Sequence, residues 1–119
     1  LHIDDMTDLY LACLQYDDHM IDGKIYNAGY ENHTVGDIAK MVRDVVGKDV
    51  EIVTTPSDDL RSYHVSSEKM KNELGIVPTH TIADAVQDLM AAFRSGEISD
   101  PMANENYYNI KTMQELGMK

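Results

Sequence analysis

The chain has 119 residues, enough for one domain with a modest core and too few for two ordinary ones. Acids outnumber bases 21 to 10, and the resulting net charge of -11 repels nucleic-acid backbones and anionic membranes, so neither is an expected partner and a phosphate-bearing ligand needs locally placed cations or backbone amides. No apolar run approaches the roughly 18 residues that span a bilayer, no basic-plus-apolar leader precedes the first acids, and the one cysteine, Cys13, has no partner within the chain, which together predict a soluble cytoplasmic protein with Cys13 as a small buried side chain.

The opening LHIDD reads as a strand-to-helix turn, with His2 flanked by Leu1 and Ile3 as a strand residue would be. Asp5 followed by Asp8 fits an acidic variant of the capping box, and Met6, Leu9, Tyr10, Cys13 and Leu14 recur at helical spacing, predicting a helix over residues 5–16. KIYNAG, closed by Gly29, predicts a short strand, and YENH a loop. In TVGDIAKMVRDVVG, Thr34 and Asp37 form a second capping box, Val35, Ile38, Val42 and Val45 share a face, and Gly47 stands at the stop position. DVEIVTT alternates toward Pro56 as a strand, and YHVSS is a further extended piece whose serines can cap the short helix SEKMKNELG, which stops at Gly75.

After Pro78, Thr81 and Asp84 make a third capping box ahead of the cleanest apolar stripe in the chain: Ile82, Ala85, Val86, Leu89, Met90 and Phe93. That helix should end near Ser95 and Gly96. Beyond Pro101 a polar tail leads to one last short helix, IKTMQEL, stopped at Gly117, and this tail should pack loosely or depend on a neighbour. The order predicts an α/β fold with about five helices and a few short, parallel strands. Such a thin sheet implies missing strands, and with the start of the chain inside a turn it predicts an incomplete sheet belonging to a C-terminal fragment.

No glycine-rich phosphate loop, C-x-x-C or H-E-x-x-H signature is present, and His2, His19, His33, His64 and His80 are scattered without ligand spacing, so no metal site is predicted. The adjacent pairs Asp4–Asp5, Asp17–Asp18 and Asp58–Asp59 point apart, and capping and solvation account for the first two. The stretch SDDLRSYHVSSEK differs, because in a strand Arg61 and Tyr63 share one face, which suits an anion or sugar held between a guanidinium fork and a phenol. The competing reading is an exposed edge strand with Arg61 paired to Asp58 or Asp59.

Three stretches taken in order, HIDDMTDLYL, KIYNAGYENHTVGDIAKMV and DDLRSYHVSSEKMKNELGIVPTHTIADAVQDLM, resemble the C-terminal part of the extended short-chain dehydrogenase/reductase family, the NAD-dependent sugar-nucleotide epimerases and dehydratases. The resemblance covers residues 1 to about 94 and implies a Rossmann-like α/β fold, with Asp4 or Asp5 capping the first helix, YNAG a late strand and SSEK part of the small substrate domain. It implies that Tyr63 lies near the nucleotide sugar, that Arg61 matches an arginine just before it, and that Asp59 and Ser66 fall on further motif positions, Asp59 counting with Arg61 and Tyr63 as substrate-binding. Many members carry an arginine for the nucleotide diphosphate where this chain has Pro56 or its neighbours.

In such enzymes the dinucleotide loop and the catalytic Y-x-x-x-K pair lie upstream of the region matched here. Tyr107 and Lys111 match that spacing in the polar tail, without a cofactor loop. The expectation is a nucleotide-sugar-binding region over residues 1–99 with a polar tail over 100–119, holding no catalytic or cofactor residues. It would be inactive alone, the NAD or NADP belonging to the full-length parent, an isomerase- or dehydratase-type enzyme. The alternative is a stand-alone ligand-binding or protein-interaction module without a cofactor half, and either form should self-associate through an exposed sheet edge.

Overall fold

Hydroxyl caps set where the two longest helices begin. The computed structural model describes residues 1–56 and 61–117, and in it α3 (Val35–Val46) starts at Thr34, whose Oγ1 accepts from the Asp37 amide at 3.1 Å. At the start of α5 (Ile82–Ser95), Thr81 Oγ1 accepts from the Asp84 amide at 3.3 Å while the Asp84 carboxylate accepts from the Thr81 amide at 2.7 Å, a reciprocal capping box. Two orphan amides of the first turn are thereby satisfied, and the carboxylate sits at the positive end of the helix dipole. Gly75, with φ at +69°, ends α4 (Glu68–Leu74) in the left-handed conformation that glycine adopts without strain.

The first helix departs from expectation. α1 (Ile3–Cys13) begins two residues early because His2 is its N-cap, Nδ1 accepting from the Asp4 amide at 3.2 Å. The Asp5–Asp8 capping box is therefore not formed, and Asp5 lies within the first turn with its carboxylate engaged elsewhere. The DDHMI stretch adds a four-residue helix, α2 (Asp18–Ile21), and α6 (Asn109–Glu115) follows a 3-10 turn at Glu105–Tyr107.

The α/β expectation is overturned: the described residues form helices and irregular segments, with no strand and no sheet among them. KIYNAG, DVEIVTT and YHVSS are each without a ladder, and in the first and last of them a side chain meets backbone groups that a neighbouring strand would have met. Val65 gives both its amide and its carbonyl to the side chain of Asn32, at 3.0 and 2.9 Å, so an asparagine amide occupies the place of a strand partner. The Ile25 carbonyl accepts from Lys69 Nζ at 2.9 Å. Alternation marks residues that suit extended backbone; a sheet also needs a second backbone about 4.8 Å away.

The chain divides into two compact units, Leu1–Gln87 and Asp88–Lys119. In the first, the buried apolar side chains among the described residues are Met70, Leu74 and Val86. The Tyr16 hydroxyl ties the end of α1 to α4 through the Leu74 carbonyl. The apolar stripe of α1 lines a pocket of about 520 Å³ with Tyr26, Val65 and Leu74, and Cys13, expected to be buried, is half-buried at its edge. In the second unit the 3-10 turn packs on α6, where Thr112 donates to the Glu105 carbonyl at 2.9 Å and Lys111 Nζ sits 4.7 Å above the Tyr108 ring.

Candidate functional site

The first unit contains a cleft of about 820 Å³. Its walls are the start of α1, the segment from Ala28 to the first turn of α3, the extended run Arg61–Val65, and the start of α5. The Asn32–Val65 pairing fastens two of these walls to one another. Gly29 lets them approach, since a Cβ at that position would lie 3.2 Å from Ser67 Oγ, a buried hydroxyl without a hydrogen-bond partner.

Four of the five histidines, His2, His33, His64 and His80, line this cleft. Two of them meet directly: the His2 and His80 rings stack with centroids 4.6 Å apart and planes 24° from parallel. Asp5, only 8% exposed, holds His80 in place. Its Oδ1 accepts from His80 Nδ1 at 2.8 Å and from the Thr79 amide at 3.1 Å, and its Oδ2 accepts from the His80 amide at 3.0 Å. Burial works against the charge on Asp5, but hydrogen bonds from the His80 ring and from the Thr79 and His80 amides prevail and hold its carboxyl down at about 2. The hydrogen bond to Asp5 raises the pKa of His80 against the opposing effect of desolvation.

This geometry fixes the tautomer. A carboxylate accepting from Nδ1 leaves Nε2 as the lone-pair nitrogen of the neutral His80 ring, the arrangement that suits an imidazole to proton acceptance or to metal ligation. When protonated, the same ring adds a cation to a cleft that Arg61 also lines.

Of the residues singled out from the sequence, Arg61 and Tyr63 both line the cleft, and Tyr63 is 87% exposed. Asp59, with Asp58, lies outside the described residues. Ser66 Oγ accepts from the Glu68 amide at 3.4 Å, a local bond at the start of α4. Asp5, His2 and His80 were not expected to act together. The clue in the sequence is that Asp5 stands four residues before Leu9 and so falls on the inward side of the helix, where an acid needs a buried donor.

Comparison with family models, with curated proteins and with solved structures gives no match for this chain. No helix among the described residues is long and apolar enough to cross a membrane.

Proposed function

We propose that the first unit holds a nucleotide-activated sugar in the 820 Å³ cleft, the substrate-holding role that the resemblance to the sugar-nucleotide epimerases and dehydratases gives to Arg61 and Tyr63. One juxtaposition supports the reading: Arg61, Tyr63 and four histidines stand around one cavity, in which Glu31 is the one carboxylate among the described lining residues, in a chain that is strongly acidic. A guanidinium fork suits a diphosphate, a phenol and imidazoles suit sugar hydroxyls, and the volume lies within the range of small-ligand sites. Hydride transfer through NAD or NADP belongs, on this reading, to a part of the enzyme other than these residues. A cytoplasmic location goes with it, supported by the single cysteine, Cys13.

The test is calorimetric titration of the chain with UDP-, GDP- and dTDP-linked hexoses, with inorganic phosphate as the control. Arg61→Ala should weaken nucleotide-sugar affinity by about 1.5–3 kcal/mol, roughly 10- to 150-fold, through loss of a charge-assisted hydrogen bond. Unchanged affinity removes Arg61 from the site, and tight binding of NAD by these residues overturns the assignment of the cofactor elsewhere.

The stand-alone interaction module has its own support in exposed apolar side chains: Ile25, Val35 and Val53 are 82%, 85% and 71% exposed. Apolar faces of this kind favour self-association, and in place of the expected sheet edge they are the surfaces through which it would occur.

A further inference from the structure

The geometry points to a second property of the cleft, independent of the nucleotide-sugar reading: His2, Asp4 and His80 form a site for one divalent transition-metal ion of the zinc or ferrous class. One ligand atom from each residue lies within 4.8 Å of the other two. His2 Nδ1 and Asp4 Oδ2 are 3.8 Å apart, close to the separation of two ligands that each stand about 2.0–2.2 Å from a shared ion. His80, whose ligand atom lies within 4.8 Å of the other two, must move toward them to complete the set, and it is a half-buried side chain on a cavity wall.

The surroundings already have the form that metal-ligating histidines need. Such a histidine gives its other ring N–H to a carboxylate, which sets the tautomer and the ring plane. Asp5 does this for His80 at 2.8 Å, and Asp5 is itself fixed by two backbone amides. His2 Nδ1 is the ring's acceptor nitrogen, since it takes the Asp4 amide at 3.2 Å, and its lone pair points toward the residue that supplies the third ligand. An ion there takes over the lone pair that caps α1. The stack of His2 on His80, with centroids 4.6 Å apart, keeps the two rings at the same end of the cleft, with a ligand atom of each within 4.8 Å of the other.

The donor set decides the class of metal. Two imidazoles and one carboxylate suit zinc or ferrous iron, whereas magnesium and calcium favour oxygen ligands alone. Three protein ligands leave at least one coordination position for water or a ligand. His2 and His80 both line the cleft, so that position adjoins the cavity that Arg61 and Tyr63 share.

The experiment uses the whole chain, stripped with EDTA and dialysed. Cobalt(II) is titrated in while visible absorption is followed, and zinc(II) affinity is measured in competition with a chromogenic chelator. One equivalent should bind with d–d bands of nitrogen and oxygen ligation, magnesium should not compete, and Asp4→Asn and His80→Ala should each weaken binding at least tenfold. His19→Ala, at an exposed histidine that does not line the cleft, should leave it unchanged. Asp4 is exposed, so its variant stays folded by circular dichroism and keeps the test decisive even if His80→Ala does not fold. Absence of cobalt bands, equal competition by magnesium, or full affinity in Asp4→Asn overturns the assignment.

Discussion

Replacing Asp5 by asparagine tests the contact on which the cleft depends. The substitution keeps the shape and removes the charge, and it turns one acceptor oxygen into an NH₂ group facing the donors of Thr79 and His80. The carboxyl sits at about 2 in the folded chain against 3.8 for an unperturbed aspartate, a difference that corresponds to about 2 kcal/mol of stability at neutral pH. The sign follows from the direction: with the folded pKa depressed, this stabilisation is fully present above about pH 4 and is lost as pH falls through 2. His80 moves the other way, raised above its ordinary 6.5, so its share is present below that value and fades as pH rises past it. Urea unfolding followed by circular dichroism in EDTA, from pH 3 to 9, should therefore give a wild-type curve highest between about pH 4 and 6.5. Asp5→Asn should lie about 2 kcal/mol lower there and be flatter at both ends. A variant as stable as the wild type at pH 6, or one with the same pH profile, would refute the reasoning.

Thr81→Ala should cost about 1 kcal/mol by breaking the reciprocal cap of α5, and Thr34→Ala a similar amount at α3, both read from urea midpoints. Gly75→Ala meets no neighbouring atom, so its expected loss of about 1 kcal/mol comes only from the left-handed backbone at φ +69°; an unchanged midpoint would mean that α4 ends differently in solution. Sedimentation equilibrium should show an apparent mass that rises with concentration, and a constant mass at 13.4 kDa would show that the exposed apolar faces do not associate.

What could be read from the sequence was local. The caps at Thr34 and Thr81 involve residues three apart, and the stripes of α3 and α5 repeat within a few turns, so both helices are where their spacing predicts. The extended runs were equally legible as backbone that resists helix, but pairing depends on distant segments. Here the partner of Val65 is a side chain 33 residues away, which no alternation pattern encodes. Arg61 and Tyr63 reached the same cavity because they are two residues apart in one extended run; Asp5 and His80 reached it across a separation of 75, which leaves no periodic trace.

Net charge shows why that separation matters for function. Asp37 and Asp84 stand in first turns, where helix dipoles and capping hydroxyls account for them, and Asp4 and Asp5 occupy the first turn of α1. Asp5 does more than offset a dipole: it binds the amides of Thr79 and His80, just ahead of the Thr81 cap, and so joins the start of α1 to the start of α5. The same carboxylate raises the pKa of His80 and turns an acidic helix end into support for a cationic ring on the cleft wall. The total of -11 therefore describes how the molecule repels a polyanion at a distance; within the cleft, Arg61 and His80 are the cations that the diphosphate of the proposed nucleotide sugar would meet.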